Sequence, residues 1–99
     1  MKIVFLVYHD ILDDRITTIL KESAVDFYTK WEDVKGKGHH TEAHLGTRTF
    51  PGFNFVRMIA FEEEDQLVNL TEKIEAINKS AFRDDDKVRM FQLPLERII

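Results

Sequence analysis

Residues 53–61, FNFVRMIAF, decide how the chain is read. At strand spacing, Phe53, Phe55, Ile59 and Phe61 fall on one face and Val56, Met58 and Ala60 on the other. Both faces are apolar, as in a strand covered on each side. Glu62, Glu63, Glu64 and Asp65 follow, an acidic group suited to the positive end of a helix dipole. Leu67, Leu70, Ile74 and Ile77 then recur at helical spacing and predict an amphipathic helix to about Ser80. The start of the chain has the same grammar. Lys2 to Tyr8, KIVFLVY, is β-branched and aromatic without alternation, and His9-Asp10 breaks it. Asp10 is a candidate helix cap, Asp13 sits near the N-terminal end of the dipole, and Leu12, Ile16, Ile19 and Leu20 predict a helix from Ile11 to about Ser23.

Two further strands complete the set. Asp26 to Val34, DFYTKWEDV, places Phe27 and Trp31 on one face and Tyr28, Lys30 and Glu32 on the other. Phe82 to Asp86 reads as a charged turn, and Val88 to Leu93 as the last strand, bounded by Pro94. Strand–helix–strand, twice over, is the split βαβ arrangement. The predicted fold is α+β: a ferredoxin-like βαββαβ sandwich, with a four-stranded antiparallel sheet and two helices on one face. Two helices leave the other face of the sheet open. An apolar face of that extent in water predicts that another copy of the chain covers it.

Composition narrows the function. Ninety-nine residues, 43% hydrophobic and 32% charged, make one folded domain, 1–99. A net charge of −4 argues against nonspecific nucleic-acid binding, which needs a basic field. The absence of cysteine excludes disulfides, thiolate metal sites and cysteine nucleophiles. The apolar run Ile3 to Tyr8 is too short for a signal-peptide core or a membrane span, so the expectation is a cytoplasmic protein not embedded in a membrane.

Between the second and third strands lies Val34 to Gly46, VKGKGHHTEAHLG, with three glycines, two lysines and three histidines in thirteen residues. The whole segment from Lys35 to Gly52 is longer than a hairpin needs, and Pro51-Gly52 closes it as a turn. Gly36 and Gly38 let the backbone come close to a ligand, while Lys35 and Lys37 add positive charge. The segment therefore reads either as an anion site or as a plain strand exit with solvated lysines. His39, His40, Glu42 and His44 form a dense group of imidazole and carboxylate donors suited to zinc, copper(II) or nickel. The competing reading is a set of solvent-exposed loop histidines. His9, beside Tyr8 and Asp10, is a candidate general base for a small oligomeric ferredoxin-like enzyme, or simply a turn residue. The acidic runs 62–65 and 84–86 read as helix starts and solvated faces, and Trp31 as a core or interface residue.

The loop resembles that of the PII nitrogen-regulatory signal-transduction family and its PII-like relatives, in which VKGxG leaves the second strand and HTExxxG follows after a spacer. Here Val34-Lys35-Gly36-Lys37-Gly38 is followed by His40-Thr41-Glu42 and Gly46. Lys87-Val88 resembles the lysine that opens the family's last strand, and Glu96-Arg97-Ile98-Ile99 its arginine-containing end. The resemblance implies a homotrimer with adenine nucleotide, and often 2-oxoglutarate, in clefts between subunits. It makes residues 35–52 the counterpart of the family's T-loop, which docks on transporters, enzymes or regulators, and it implies regulation rather than catalysis. On that basis Lys35, Gly36, Lys37, Gly38, His39, His40, Lys87 and Arg97 are the expected ligand-binding residues. The chain also departs from the pattern. The spacer is His39 alone, the loop tip is short, and Phe82-Arg83-Asp84-Asp85-Asp86 stands where the family has a glycine-rich turn. Three aspartates there would repel a phosphate chain.

Overall fold

The computed structural model describes residues 1–39, 42–49 and 51–99. Strand β1 (Lys2–His9) leads through a single 3-10 turn (Asp10–Leu12) into helix α1 (Asp13–Glu22). Strands β2 (Thr29–Val34) and β3 (Asn54–Phe61) flank the long loop. Helix α2 (Glu64–Ser80), a 3-10 turn (Asp84–Asp86) and β4 (Arg89–Pro94) complete the chain. The sheet order is β2-β3-β1-β4, and every neighbouring pair is antiparallel. This is the ferredoxin-like α+β sandwich expected from the element order.

The core lies between the helices and one face of the sheet. Val4 and Leu6 of β1 and Ile59 and Phe61 of β3 meet Ile16 and Leu20 of α1 and Leu70 and Ile74 of α2, all fully or nearly fully buried. The opposite face carries Ile3, Phe5 and Val7, which pair with Ala60, Met58 and Val56 of β3 on one side. On the other side they pair with Leu93, Phe91 and Arg89 of β4. No helix among the described residues covers this face, and Trp31, Phe91 and Leu93 are 45%, 53% and 47% exposed.

Three local expectations are corrected. Asp10 does not cap α1: its carboxylate accepts from the Phe53 N–H (3.3 Å) and pairs with His9 (3.2 Å), so it ties the end of β1 to the start of β3. The α-helix accordingly starts at Asp13 rather than Ile11. Strand β2 begins only at Thr29, and Phe27 and Trp31 part company. Phe27 packs edge-on against the core ring of Phe61 (6.0 Å), while Trp31 pairs with Val56 on the open face. The pairing of β2 shifts between Trp31 and Val34, where Asp33 takes a positive φ of 58°, a local irregularity that re-aims the chain into the loop.

The buried face of β3 also contains a charge, Arg57, whose side chain is 2% exposed. Its Nε donates to the Tyr8 hydroxyl (2.9 Å) and its Nη2 to Asp13 (2.9 Å) and to Thr17 Oγ1 (2.7 Å). Asp13 also accepts from Tyr8 (2.6 Å) and from Lys30 Nζ (2.7 Å). Burial pushes the Asp13 carboxyl up, but hydrogen bonds from Lys30, Tyr8 and Arg57 outweigh it and hold the group at about 2, well below its ordinary 3.8. Burial first, and the neighbouring Asp13 carboxylate second, push the Tyr8 phenol far above its usual range, so it stays neutral. One cluster thereby fastens β1, β2, β3 and α1 together. Removing one partner of a buried pair leaves the other unpaired. Asp13→Ala is expected to lower the unfolding free energy by about 3 kcal/mol in urea denaturation, with Arg57 stranded in the core.

Candidate functional site

Antiparallel pairing of β1 with β3 places His9 opposite Asn54, so the end of the first strand lies beside the exit of the long loop. The loop folds back at its base. Gly36 N–H donates to the His44 carbonyl (2.9 Å) and His44 N–H to the Gly36 carbonyl (2.7 Å). That bridge turns the His44 side chain inward. Its ring stacks on His9 with centroids 4.1 Å apart and planes 15° apart, and its Nδ1 lies 2.7 Å from the Asn54 side-chain oxygen. Two glycines make room for this packing. A methyl on Gly36 would collide with the Asn54 amide, and one on Gly52, at φ 82°, would sit 2.5 Å from His9 Nε2. Farther out, Gly46 N–H donates to the Gly52 carbonyl (2.8 Å) and draws the two arms of the loop together.

The other wall comes from the turn before β4. Asn78 of α2 brackets Val88, donating to its carbonyl (2.8 Å) and accepting from its N–H (2.7 Å), which fixes the strand's start. Lys87 and Arg89 then flank the same cleft as the loop. The cleft measures about 490 Å³ and takes Lys35, Gly36, Lys37 and Gly38 from one side and Lys87 and Arg89 from the other. Its floor includes Val7 and Phe91, which belong to the open face of the sheet.

The aspartates of the turn are engaged. Asp85 accepts from the Glu42 N–H (3.0 Å), Asp84 pairs with Lys87 (3.1 Å), and Asp86 accepts from Arg83 (3.5 Å). Asp85 therefore tethers the loop, a role that charge counting alone could not suggest. Asp84, Asp85 and Glu42 line the cleft against four cationic side chains, so its walls carry both signs of charge.

Of the expected ligand-binding residues, Lys35, Gly36, Lys37, Gly38 and Lys87 come together in this one cleft. His39 is exposed on the loop, and His40 lies outside the described residues. Arg97 follows the far end of β4: Pro94 pairs with Lys2 and the Leu95 N–H donates to the Met1 carbonyl, at the opposite end of β1 from His9. Of the candidate metal donors, Glu42 is exposed and His44 is buried against His9. Among the described residues, no group of three or more His, Asp or Glu side chains is placed to hold a metal ion. Residues the sequence did not single out for the site are Asn54, Arg89, Val7 and Phe91. The available signal was topological, since pairing β1 with both β3 and β4 brings all four to one end of the sheet.

His9 has lost most of its water, and its Nδ1 is buried with no hydrogen-bond partner among the described residues. Burial first, and the adjacent His44 second, lower its pKa from the ordinary 6.5, against a smaller upward pull from Asp10, Asp85 and Asp86. An unfolded chain thus binds a proton that folded His9 refuses. Its contribution to stability is complete above 6.5 and is lost as pH falls towards the lowered folded value. The urea midpoint is expected to drop between about pH 7 and pH 5, and His9→Gln to flatten that slope.

No helix among the described residues is long and apolar enough to cross a membrane. No family model and no curated protein matches the sequence. Solved structures do match. CPII from Thiomonas intermedia K12, bound to ADP and bicarbonate, shares 18% identity over 97% of this chain and 88% of its own, with a TM-score of 0.69. The same protein bound to ADP, AMP and bicarbonate, where it is described as a nitrogen regulatory PII-like protein, gives 17% identity, 97% and 88% coverage and a TM-score of 0.69. A PII-like signaling protein from Thermus thermophilus gives 20% identity over 93% of this chain and 82% of its own, with a TM-score of 0.61. Over nearly its whole length, this chain has the fold of the PII-like proteins.

Proposed function

We propose that this chain is a PII-like regulatory protein of the cytoplasm, not an enzyme, which works as a homotrimer and senses a small anionic ligand in clefts between its subunits. One observation carries the reading. The cleft that gathers the VKGKG backbone, Lys87 and Arg89 is floored by Val7 and Phe91, and those two residues also belong to the uncovered apolar face. A second copy seated on that face would at once bury the apolar surface and wall the cleft. The side chains of Lys35, Lys37, Lys87 and Arg89 around this cleft are the chemistry that receives phosphate or carboxylate. CPII, with the same fold, is bound to ADP, AMP and bicarbonate, which makes an adenine nucleotide the first ligand to try. Residues 35–52 are the shortened counterpart of the T-loop and the contact for a transport or regulatory protein, signalling through the ligand's effect on the loop.

The test is a thermal-shift series with ADP, AMP, ATP and cyclic AMP, each with and without bicarbonate. A ligand at about one hundred times its Kd stabilises by about 2.7 kcal/mol, which raises the melting temperature of so small a domain by about ten degrees or more. Such a rise is expected with at least one nucleotide, and Lys37→Glu and Lys87→Glu are expected to abolish it. If no nucleotide raises the melting temperature, or if both variants respond like the parent, the nucleotide reading fails.

A further inference from the structure

A second cavity lies on the helix side of the sheet, between α1 and the segment leading into β2. Its volume is about 330 Å³, near the lower end of the range for small-molecule sites. Leu20, Ala24 and Val25 make its aliphatic wall, Thr17 and Arg57 its polar end, and Tyr28 its outer side. Lys21 and Asp26 lie at the exposed rim, with opposite charges.

Arg57 is the informative residue. A guanidinium has five N–H donors. Nε is spent on Tyr8 and both hydrogens of Nη2 on Asp13 and Thr17. Nη1 makes no hydrogen bond to the described residues and is not among the buried unpaired atoms, so what little exposure the side chain keeps, 2%, falls on the cavity that Arg57 helps to line. Water serves that donor, and a bound carboxylate would replace the water with a charge-assisted bond. Charge points the same way. Arg57 and Lys30 share the single carboxylate of Asp13, and the second partner of Lys30, Glu32, is 60% exposed and screened by water. Arg57, the most buried of these charges, thus shares its one counter-ion with a more exposed lysine. The half-exposed Tyr28 ring stacks on the guanidinium at 4.7 Å, which leaves the edge of the fork as its remaining binding direction.

We propose that this cavity binds a small monocarboxylate with an apolar body, its carboxylate accepting from Arg57 Nη1 and its body lying between Leu20, Val25 and Tyr28. A carboxylate gives Arg57 a second counter-charge, and the aliphatic wall of Leu20, Ala24 and Val25 receives the apolar body. The site is separate from the loop cleft and shares no lining residue with it.

The test is an NMR titration of the isotope-labelled chain with sodium benzoate and sodium isovalerate, each against its neutral amide. Saturable shifts are expected at Thr17, Leu20, Ala24 and Tyr28, with the acid binding at least about tenfold tighter than the amide, as a charge-assisted bond requires. Tyr28→Ala removes an exposed ring and is expected to weaken the acid about tenfold while the spectrum of a folded chain persists. Arg57→Lys keeps the charge without the fork and is expected to abolish the preference for acid over amide; should that variant not fold, Tyr28→Ala decides alone. Equal binding of acid and amide, absence of saturable shifts, or shifts confined to residues around Lys87 would each overturn the proposal.

Discussion

A four-stranded sheet whose two faces are both apolar, served by two helices that reach only one of them, sets the terms for the rest of this molecule. Val4, Leu6, Ile59 and Phe61 turn inward and vanish under α1 and α2. Ile3, Phe5, Val7, Val56 and Met58 turn outward with the half-exposed rings of Trp31 and Phe91 beside them. The hydrophobic effect acts on both sets alike, and only one set is satisfied within the chain. Because strand order is β2-β3-β1-β4, the unsatisfied side runs without a break into the loop cleft through Val7 and Phe91. The proposed assembly and the proposed ligand binding would thus draw on one surface.

Inside the sandwich a second constraint operates. Arg57 sits in the middle of a strand that is otherwise apolar from Phe55 to Phe61, and Asp13, Tyr8 and Thr17 meet three of its five N–H groups. Those partners come from β1 and α1, so the packing of α1 on the sheet is fixed by directional bonds as well as by greasy contact. The same bonds tie the end of β1 to the start of α1, beside the point where the loop returns to β3. His44 carries the same logic outward: stacked on His9 and bonded toward Asn54, it pins the loop base to the sheet.

Much of this was legible in the residues. FNFVRMIAF and KIVFLVY gave away the two central strands because neither alternates, and the stripes at Leu67, Leu70, Ile74 and Ile77 and at Leu12, Ile16 and Ile19 gave away the helices. Spacing and family likeness group Gly36, Gly38, Lys37 and Lys87, and the four line one cleft. Other features were not readable, for physical reasons. The Arg57–Asp13 pair spans 44 residues, and periodicity is blind to contacts at that range. Phe27 and Trp31 have the spacing of one face, but a strand that starts at Thr29 never imposes its alternation on Phe27. His44 looked like a loop histidine because its inward turn depends on a two-bond bridge to Gly36, which no local pattern announces.

Sedimentation velocity on the ligand-free chain at micromolar concentration reads the fate of the open face. A particle of three copies is expected, dispersed to single chains when Phe91 is replaced by glutamate on that face. A parent chain that sediments as a monomer across that range would contradict that expectation, because the outward side of the sheet would then be stable in water and the cleft would have no second wall.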